Sequence, residues 1–112
     1  MTFNNLLNLQ KKIESNKNKN PKISYTASLL KGGKNKCINK FKEESLELVR
    51  ASGANNKKNI IHEAADVFYH LLVLLVFKNV KISKVMKEIK KRQNISGIEE
   101  KKNRKKKKKN DL

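Results

Sequence analysis

Apolar residues recur along this 112-residue chain at intervals of three and four positions, which is the spacing of one face of an α-helix. No segment alternates apolar and polar residues in the way that a half-buried strand does. The stretches between the apolar segments contain Asn, Gly or Pro, which are typical of turns. The pattern therefore predicts an all-α helical bundle, with helices over residues 2–14, 24–31, 36–51, 59–78 and 83–93.

Local signals support the second and third of these helices. Ser24 is placed to cap the second helix, because its hydroxyl can accept a hydrogen bond from an N–H of the first turn. Gly32 and Gly33 end the same helix, and they lack the spacing of a phosphate-binding P-loop. Cys37, the only cysteine of the chain, is predicted to be a small core residue.

Residues 67–77 of the fourth predicted helix are apolar on nearly every side. Such a helix must be covered all round, and a domain of this size has few elements that could cover it. The sequence therefore predicts a bundle that is completed by a homodimer. The run is shorter than the about 20 residues that cross a bilayer, and the N-terminus is too polar for a signal peptide. We therefore expect a cytoplasmic protein without a membrane partner.

Basic residues outnumber acidic ones by 28 to 10, which gives the chain a net charge of +18. Residues 101–109 are almost continuously positive, and mutual repulsion predicts a disordered Lys-rich tail over residues 96–112. A basic excess often indicates nucleic acid as a partner, but Lys, Asn and Ile recur throughout the chain, and an AT-rich coding bias explains the excess at least as well. The partner could be bound weakly and incidentally by the tail, or it could be the target of a non-enzymatic helical protein.

Half of the acidic residues lie in one short window of the chain. Four of them form two pairs with a spacing of three, Glu44 with Glu47 and Glu63 with Asp66, which puts both carboxylates of a pair on one helix face. Residues 52–56 lie between the pairs and can reverse the chain, so an antiparallel hairpin would bring the four carboxylates together. Because they would repel one another without a cation, we predict a Mg²⁺ site, with Mn²⁺ as a second possibility.

Short motifs follow one another in a fixed order along the same part of the chain. They are SYTA at 24–27, LL at 29–30, I-x-K-x-x-E-E-x-x-E-L at 38–48, EAAD at 63–66 and YHLLVLL at 69–75. In this order they resemble the phosphoribosyl-ATP pyrophosphohydrolases, which belong to the all-α, MazG-like nucleotide pyrophosphohydrolases. The acidic pattern is common to that superfamily, whereas SYTA and YHLLVLL indicate the narrower family.

The resemblance implies a dimeric helical bundle that uses Mg²⁺ to hydrolyse phosphoribosyl-ATP. The products would be phosphoribosyl-AMP and diphosphate, in the second step of histidine biosynthesis. It divides the chain into an N-terminal helix and loop over residues 1–20, a catalytic domain over residues 21–95 and the tail. A MazG-like enzyme for another nucleoside triphosphate is the nearest alternative, because its acidic pattern would be the same. Lys42 departs from the Gly that is usual in the family.

The resemblance also assigns roles to the acidic residues. Glu44, Glu47, Glu63 and Asp66 fall on the metal-binding pattern of the family. One glutamate, either Glu43 or Glu47, is expected to orient or deprotonate the attacking water.

Three further residues are candidates for contacts with the substrate. Lys40, and more weakly Lys36, could meet a phosphate, although Lys40 could equally pair with Glu44 one helical turn away. Tyr25 could stack on the substrate or donate a hydrogen bond to it, and packing in the core is an equal alternative.

Two histidines lie near the second acidic pair. His70, one turn beyond Asp66 on the apolar helix, is interpreted as a packing residue with a hydrogen bond rather than a catalytic one. His62, directly before the pair, is expected on the surface.

Overall fold

The structure, a computed structural model, describes residues 3–93 and 97–110. The described residues form α-helices joined by turns and contain no strand, which confirms the all-α prediction. Each of the five predicted helices is present, and its ends lie within two residues of the predicted ones. The helices are α1 (Phe3–Ser15), α2 (Tyr25–Lys31), α3 (Lys34–Ala51), α4 (Lys57–Phe77), α5 (Ile82–Arg92) and α6 (Gly97–Asn110).

The chain divides into two compact units, Met1–Ile82 and Ser83–Leu112. In the first unit, α3 and α4 pack along each other and form the most extensive helix pair. The helix α1 packs on α4, and the short α2 contacts both α3 and α4. The second unit consists of the rest of α5 and of α6. The first unit therefore contains both predicted acidic pairs.

The link between α2 and α3 follows from the residues at its ends. Ser24 has an extended backbone, and its Oγ accepts a hydrogen bond from the N–H of Ala27 at 3.1 Å, which confirms the predicted N-cap. The helix α2 ends at Gly32, and Gly33 precedes α3 with a φ of 93°. Since L-residues with a side chain rarely adopt this conformation, Gly33 allows the chain to pass from one helix to the next without a longer loop.

The core of the first unit takes buried residues from each of its helices. Ile13 from α1, Leu29 from α2, and Leu72 and Val73 from α4 are fully buried. Cys37 of α3 is also buried, as predicted, and its Sγ donates a hydrogen bond to the carbonyl of Leu29 at 3.3 Å. Burial raises the pKa of the Cys37 thiol, so the side chain remains neutral and acts as a core residue.

A buried polar residue, Gln10, ties α1 to the turn that follows α4. Its Nε2 donates to the carbonyl of Val80 at 3.0 Å, and its Oε1 accepts from the N–H of Ile82 at 2.8 Å. Lys81, between these two residues, forms an ion pair with Glu14 of α1 at 2.8 Å. The amide of Gln10 thus satisfies backbone groups that would otherwise be buried without a partner.

Of residues 96–112, for which the sequence predicts disorder, Gly97–Asn110 form α6 in the structure, and residues 96, 111 and 112 lie outside the described part of the chain. The prediction considered only the repulsion between like charges. Lys, Arg and Glu, which dominate the segment, are also among the better helix formers, because their side chains lose little rotamer freedom in a helix. Where side chains of α6 are described they are exposed, so local propensity rather than packing accounts for this helix.

The helix α4 is long and apolar enough to cross a membrane, by length and composition alone, with a mean hydropathy of 1.7 over its apolar window. The sequence prediction considered only the shorter run of residues 67–77. In the structure α4 packs against α1, α2 and α3, and its first half carries Glu63 and Asp66. The absence of a membrane partner stays a prediction.

We expect Gln10→Met to lower the free energy of unfolding by about 1–3 kcal/mol, because it keeps the volume of the side chain but leaves the carbonyl of Val80 and the N–H of Ile82 without partners. Urea denaturation followed by circular dichroism measures the change. The control is Asn8→Met at an exposed position of the same helix, which should change the stability by less than about 0.5 kcal/mol. Equal stabilities of the two variants would contradict this role of Gln10.

Candidate active site

An antiparallel helical hairpin positions the acidic residues. Residues 52–56 alone separate α3 from α4, so two helices that pack along each other must run in opposite directions. The side chain of Asn56 caps α4 by accepting a hydrogen bond from the N–H of Asn59 at 3.1 Å. The hairpin predicted from the sequence is therefore present, with one acidic pair on each arm.

On α3, Glu44 lies on the helix face that also carries two buried residues. Cys37 and Ala51, which are buried, lie seven residues before and after it and so share its helix face. The side chain of Glu44 is only 17% exposed. An acidic residue on a solvated face would be far more exposed, so Glu44 is held at the packed surface between the helices.

On α4, Glu63 and Asp66 share a face with His70, at successive spacings of three and four residues. His70 is 5% exposed, and its Nε2 lies 4.0 Å from Oε1 of Glu44 on the opposite arm. In an antiparallel pair with this register, Glu47, three residues beyond Glu44, comes level with the turn of α4 that carries Asp66. Glu44 therefore faces α4, and the turn of α3 that carries Glu47 lies beside the turn of α4 that carries Asp66.

The carboxylates of α4 come closest to one another. Glu63, Asp66 and His62 each offer one possible ligand atom, and these atoms lie within 4.8 Å of one another. The Nε2 of His62 is 3.5 Å from Oδ2 of Asp66. Glu44 and Glu47 are not part of this group: Glu44 is directed toward His70, and Glu47 forms an ion pair with Arg50 at 3.3 Å. The convergence of all four carboxylates on one cation stays a prediction.

His62 was expected on the surface, and its side chain is 71% exposed. Its proximity to the acidic pair was not predicted from the sequence. The spacing of four residues between His62 and Asp66 could have predicted this proximity, because it places both residues on one helix face.

The group formed by His62, Glu63 and Asp66 has the chemistry of a divalent-cation site. Oxygen and nitrogen ligands lie about 2.0–2.6 Å from such an ion, so two ligands of one ion are separated by at most about 4–5 Å. The ligand atoms of the three residues fall within that limit. The side chain of Asp66 is 42% exposed, which leaves space for water and for oxygen atoms of a substrate. The donor set therefore fits a divalent cation.

Two of the predicted substrate residues lie along α3 beside the acids. Lys40 donates a hydrogen bond from Nζ to Oε2 of Glu43 at 3.3 Å, and this bond is the main reason that the pKa of Lys40 is raised. The predicted alternative partner of Lys40 was Glu44, so the structure gives a different pair. Lys36 is exposed, and its aliphatic carbons lie over Gly32 at the link between α2 and α3.

Tyr25, the third candidate, belongs to an aromatic cluster next to the acids. Its ring stacks on that of Tyr69 with 6.4 Å between the centroids, and it meets His70 edge-on at 6.2 Å. The hydroxyl of Tyr69 shares a hydrogen bond with Oγ1 of Thr26, which anchors the cluster to α2. Tyr25 is 54% exposed, so it does not have the core position that was its alternative. The exposed part of its side chain is accessible to a ligand.

The surroundings of His70 favour its neutral form. Burial lowers the pKa of its imidazole below the ordinary value, and the nearby carboxylate of Glu44 opposes that shift only in part. Its burial and its edge contacts with Tyr25 and Tyr69 agree with the predicted packing role.

The fold and the site together define a class: an all-α protein with an E-x-x-E pair on one arm of a helical hairpin and an E-x-x-D pair on the other. The family model of phosphoribosyl-ATP pyrophosphohydrolase matches residues 6–93 of the chain. The chain belongs to this family, which confirms the resemblance, and it is therefore a hydrolase that acts on a phosphoric anhydride. The match includes most of α1, which lies before the residues that carry the resemblance, and it ends before α6.

Curated relatives cover most of the chain. The phosphoribosyl-ATP pyrophosphatase of Nitrosospira multiformis is 40% identical over 89% of this chain and 83% of its own length. The protein of the same name from Rhodobacter capsulatus is 42% identical over 80% of this chain and 86% of its own length. That of Dinoroseobacter shibae is 40% identical over 88% of this chain and 97% of its own length.

The lowered pKa of His70 predicts how stability depends on pH. The folded protein resists protonation of His70, whereas the unfolded chain protonates it near the ordinary value of 6.5. The contribution of the neutral His70 to the free energy of unfolding is therefore fully present above that pH. It is lost as the pH falls below that value. We expect wild type to lose more stability than His70→Phe when the pH falls from about 7.5 to about 5.5, as measured by urea denaturation in a metal-free buffer. An imidazole of His70 that titrates above 6.5 by NMR would contradict this prediction.

Proposed function

We propose that the protein hydrolyses phosphoribosyl-ATP to phosphoribosyl-AMP and diphosphate, in the second step of histidine biosynthesis, as a soluble enzyme of the cytoplasm. The proposed cofactor is Mg²⁺, with Mn²⁺ as a second possibility. The observation that carries the proposal is the pair of acidic motifs on facing arms of the hairpin, within the residues that match the family. The names of the curated relatives support the choice of substrate.

In this proposal the cation is held by Glu63 and Asp66 of α4 together with Glu44 and Glu47 of α3. When bound, it would screen the charge of the triphosphate and lower the pKa of a bound water. The residues of the chain explain why a cation is needed. Without one, the carboxylates of the two arms of the hairpin would repel an anionic substrate.

Glu47 is our choice for the residue that takes a proton from the attacking water. It lies level with Asp66 across the hairpin, whereas Glu43 is more exposed and accepts a hydrogen bond from Lys40. The proton passes from water to the carboxylate of Glu47. The water oxygen then forms a bond to phosphorus at the α–β anhydride, the bridging P–O bond breaks, and diphosphate leaves.

The basic and aromatic residues beside the acids would bind the rest of the substrate. The ammonium group of Lys40 is partly exposed, so it can exchange the carboxylate of Glu43 for a phosphate oxygen. Lys36 is proposed as a weaker phosphate contact one turn before it. The exposed part of the Tyr25 side chain can stack on a planar base.

The second candidate function is the hydrolysis of another nucleoside triphosphate at the same acidic pattern. The two functions are distinguished by the release of diphosphate from phosphoribosyl-ATP and from common nucleoside triphosphates, assayed side by side. A clear preference for an ordinary nucleoside triphosphate would favour this alternative.

We also propose that the working enzyme is a homodimer. Large apolar side chains are exposed on both arms of the hairpin, namely Leu46 and Val49 on α3, and Ile61 and Phe68 on α4. Apolar surface of this kind is typical of an interaction site. A second copy of the chain would cover α4, whose composition calls for burial on all sides.

Asp66→Asn should reduce the hydrolysis of phosphoribosyl-ATP by at least about 100-fold, because a neutral amide binds a divalent cation far more weakly than a carboxylate. The helical content should be unchanged, since the side chain is partly exposed. Release of diphosphate from the purified variant, and complementation of a histidine auxotroph that lacks this step, measure the effect.

The control for this variant is Glu88→Gln, which removes an acid that pairs with Arg92 in the second unit. It should leave the rate within about 2-fold of wild type. Wild-type turnover by Asp66→Asn would mean that the acidic pair of α4 is not used, and the proposed function would then fail.

The homodimer predicts that Phe68→Asp shifts the protein toward a monomer, because a charge in an apolar interface would be buried without a partner. Light scattering coupled to gel filtration measures the mass. Asn39→Asp introduces the same charge at an exposed position of α3 and should leave the mass unchanged. A monomeric wild-type protein at assay concentration would contradict the proposal.

A further inference from the structure

We infer that His62 is a ligand of the proposed cation, and that it gives the site a higher affinity for first-row transition cations than its carboxylates alone would have. This inference rests on the proposed function, because it concerns the same acidic pair. It goes beyond that function by adding a nitrogen donor to a site otherwise made of oxygen donors. The relevant ligand class is a divalent cation with affinity for imidazole, such as Co²⁺ or Zn²⁺.

The geometry of α4 places His62 on the side of the acids. Residues 62, 63 and 66 of one helix fall within an arc of about 100° of its circumference, because each residue turns the helix by about 100°. Their possible ligand atoms lie within 4.8 Å of one another, and Nε2 of His62 is 3.5 Å from Oδ2 of Asp66. The three donors come from consecutive turns of one regular helix, so binding a cation requires no change of the backbone.

The imidazole of His62 is also available for binding. Its side chain is 71% exposed, so a cation could reach it without the removal of a packed residue. His70 differs in this respect, because it is buried between Tyr25 and Tyr69. Of the two histidines, His62 is therefore the one that can take part in a solvent-accessible site.

The chemistry of the donors predicts selectivity. Mg²⁺ prefers oxygen ligands and retains several of its waters, so the loss of an imidazole should affect it little. Imidazole suits Zn²⁺, Ni²⁺ and related transition cations, and the affinity of a given site generally rises across the first-row series as far as copper. A change at His62 should therefore alter the ratio of the affinities for Co²⁺ and Mg²⁺.

A simpler explanation for the contact is a surface ion pair between His62 and Asp66, one helical turn apart. Exposed pairs of this kind contribute little to stability. The two explanations make different predictions. An ion pair alone gives no reason for the loss of His62 to weaken the binding of one cation more than that of another.

The test is a calorimetric titration of the full, untagged chain with Co²⁺ and, separately, with Mg²⁺. For His62→Asn we expect the dissociation constant of Co²⁺ to rise about 10-fold and that of Mg²⁺ to change by less than about 2-fold. The visible spectrum of bound Co²⁺ should also change, because a nitrogen ligand is lost. Neither readout depends on turnover.

The matched control is Lys58→Ala, which removes an exposed cation about one turn before His62, at the edge of the same shallow depression. Because the loss of a positive charge acts through electrostatics, it should tighten the binding of both cations by a similar factor. The ratio of the two dissociation constants should stay within about 2-fold of wild type.

Equal effects of His62→Asn on Co²⁺ and Mg²⁺, or no effect on either, would overturn this inference. The proposed function would survive that result, provided that Asp66→Asn still abolishes turnover. Conversely, full turnover by Asp66→Asn would remove the proposed site itself. The two failures are therefore distinguishable.

Discussion

The packing of α3 on α4 around a half-buried carboxylate is the constraint on which the rest of the site depends. Glu44 takes a position on α3 that would otherwise carry an apolar residue, and its nearest ionisable neighbour across the hairpin is His70. Burial of a charged carboxylate is costly unless an opposite charge compensates it. His70 is poorly suited to supply that charge, because its own burial lowers its pKa. Among the described residues, no Lys or Arg forms an ion pair with Glu44, and Lys40, which attracts it electrostatically, is hydrogen-bonded to Glu43. A bound cation would therefore add to a compensation that the fold supplies only in part.

The other elements hold this hairpin in place and set what surrounds it. The short α2 brings Tyr25 and Thr26 against Tyr69 and His70, so the aromatic cluster lies beside the acids instead of at a distant surface. The conformation of Gly33 makes the close succession of α2 and α3 possible. The basic character of the chain does not prevent a cation site here, because half of the acidic residues lie on the two facing helices.

Much of this arrangement could be predicted from the sequence, because it depends on local and periodic signals. The helix boundaries, the Ser24 cap and the burial of Cys37 follow from spacing and from residue type alone. The partner of Lys40 could not be predicted, because Glu43 and Glu44 are both within one turn and only side-chain packing selects between them. The helix α6 was not predicted, for a different reason. Two opposing local effects, repulsion and helix propensity, act on the same residues, and the sequence alone does not give their balance.

The central claim is that acidic residues from both arms of the hairpin share one divalent cation. The most direct measurement is an anomalous-difference map from crystals of the protein grown with Mn²⁺. The account predicts a peak between α3 and α4, about 2.0–2.6 Å from carboxylate oxygens of both helices. A peak bound by residues of α4 alone, or no peak between the two helices at all, would contradict it.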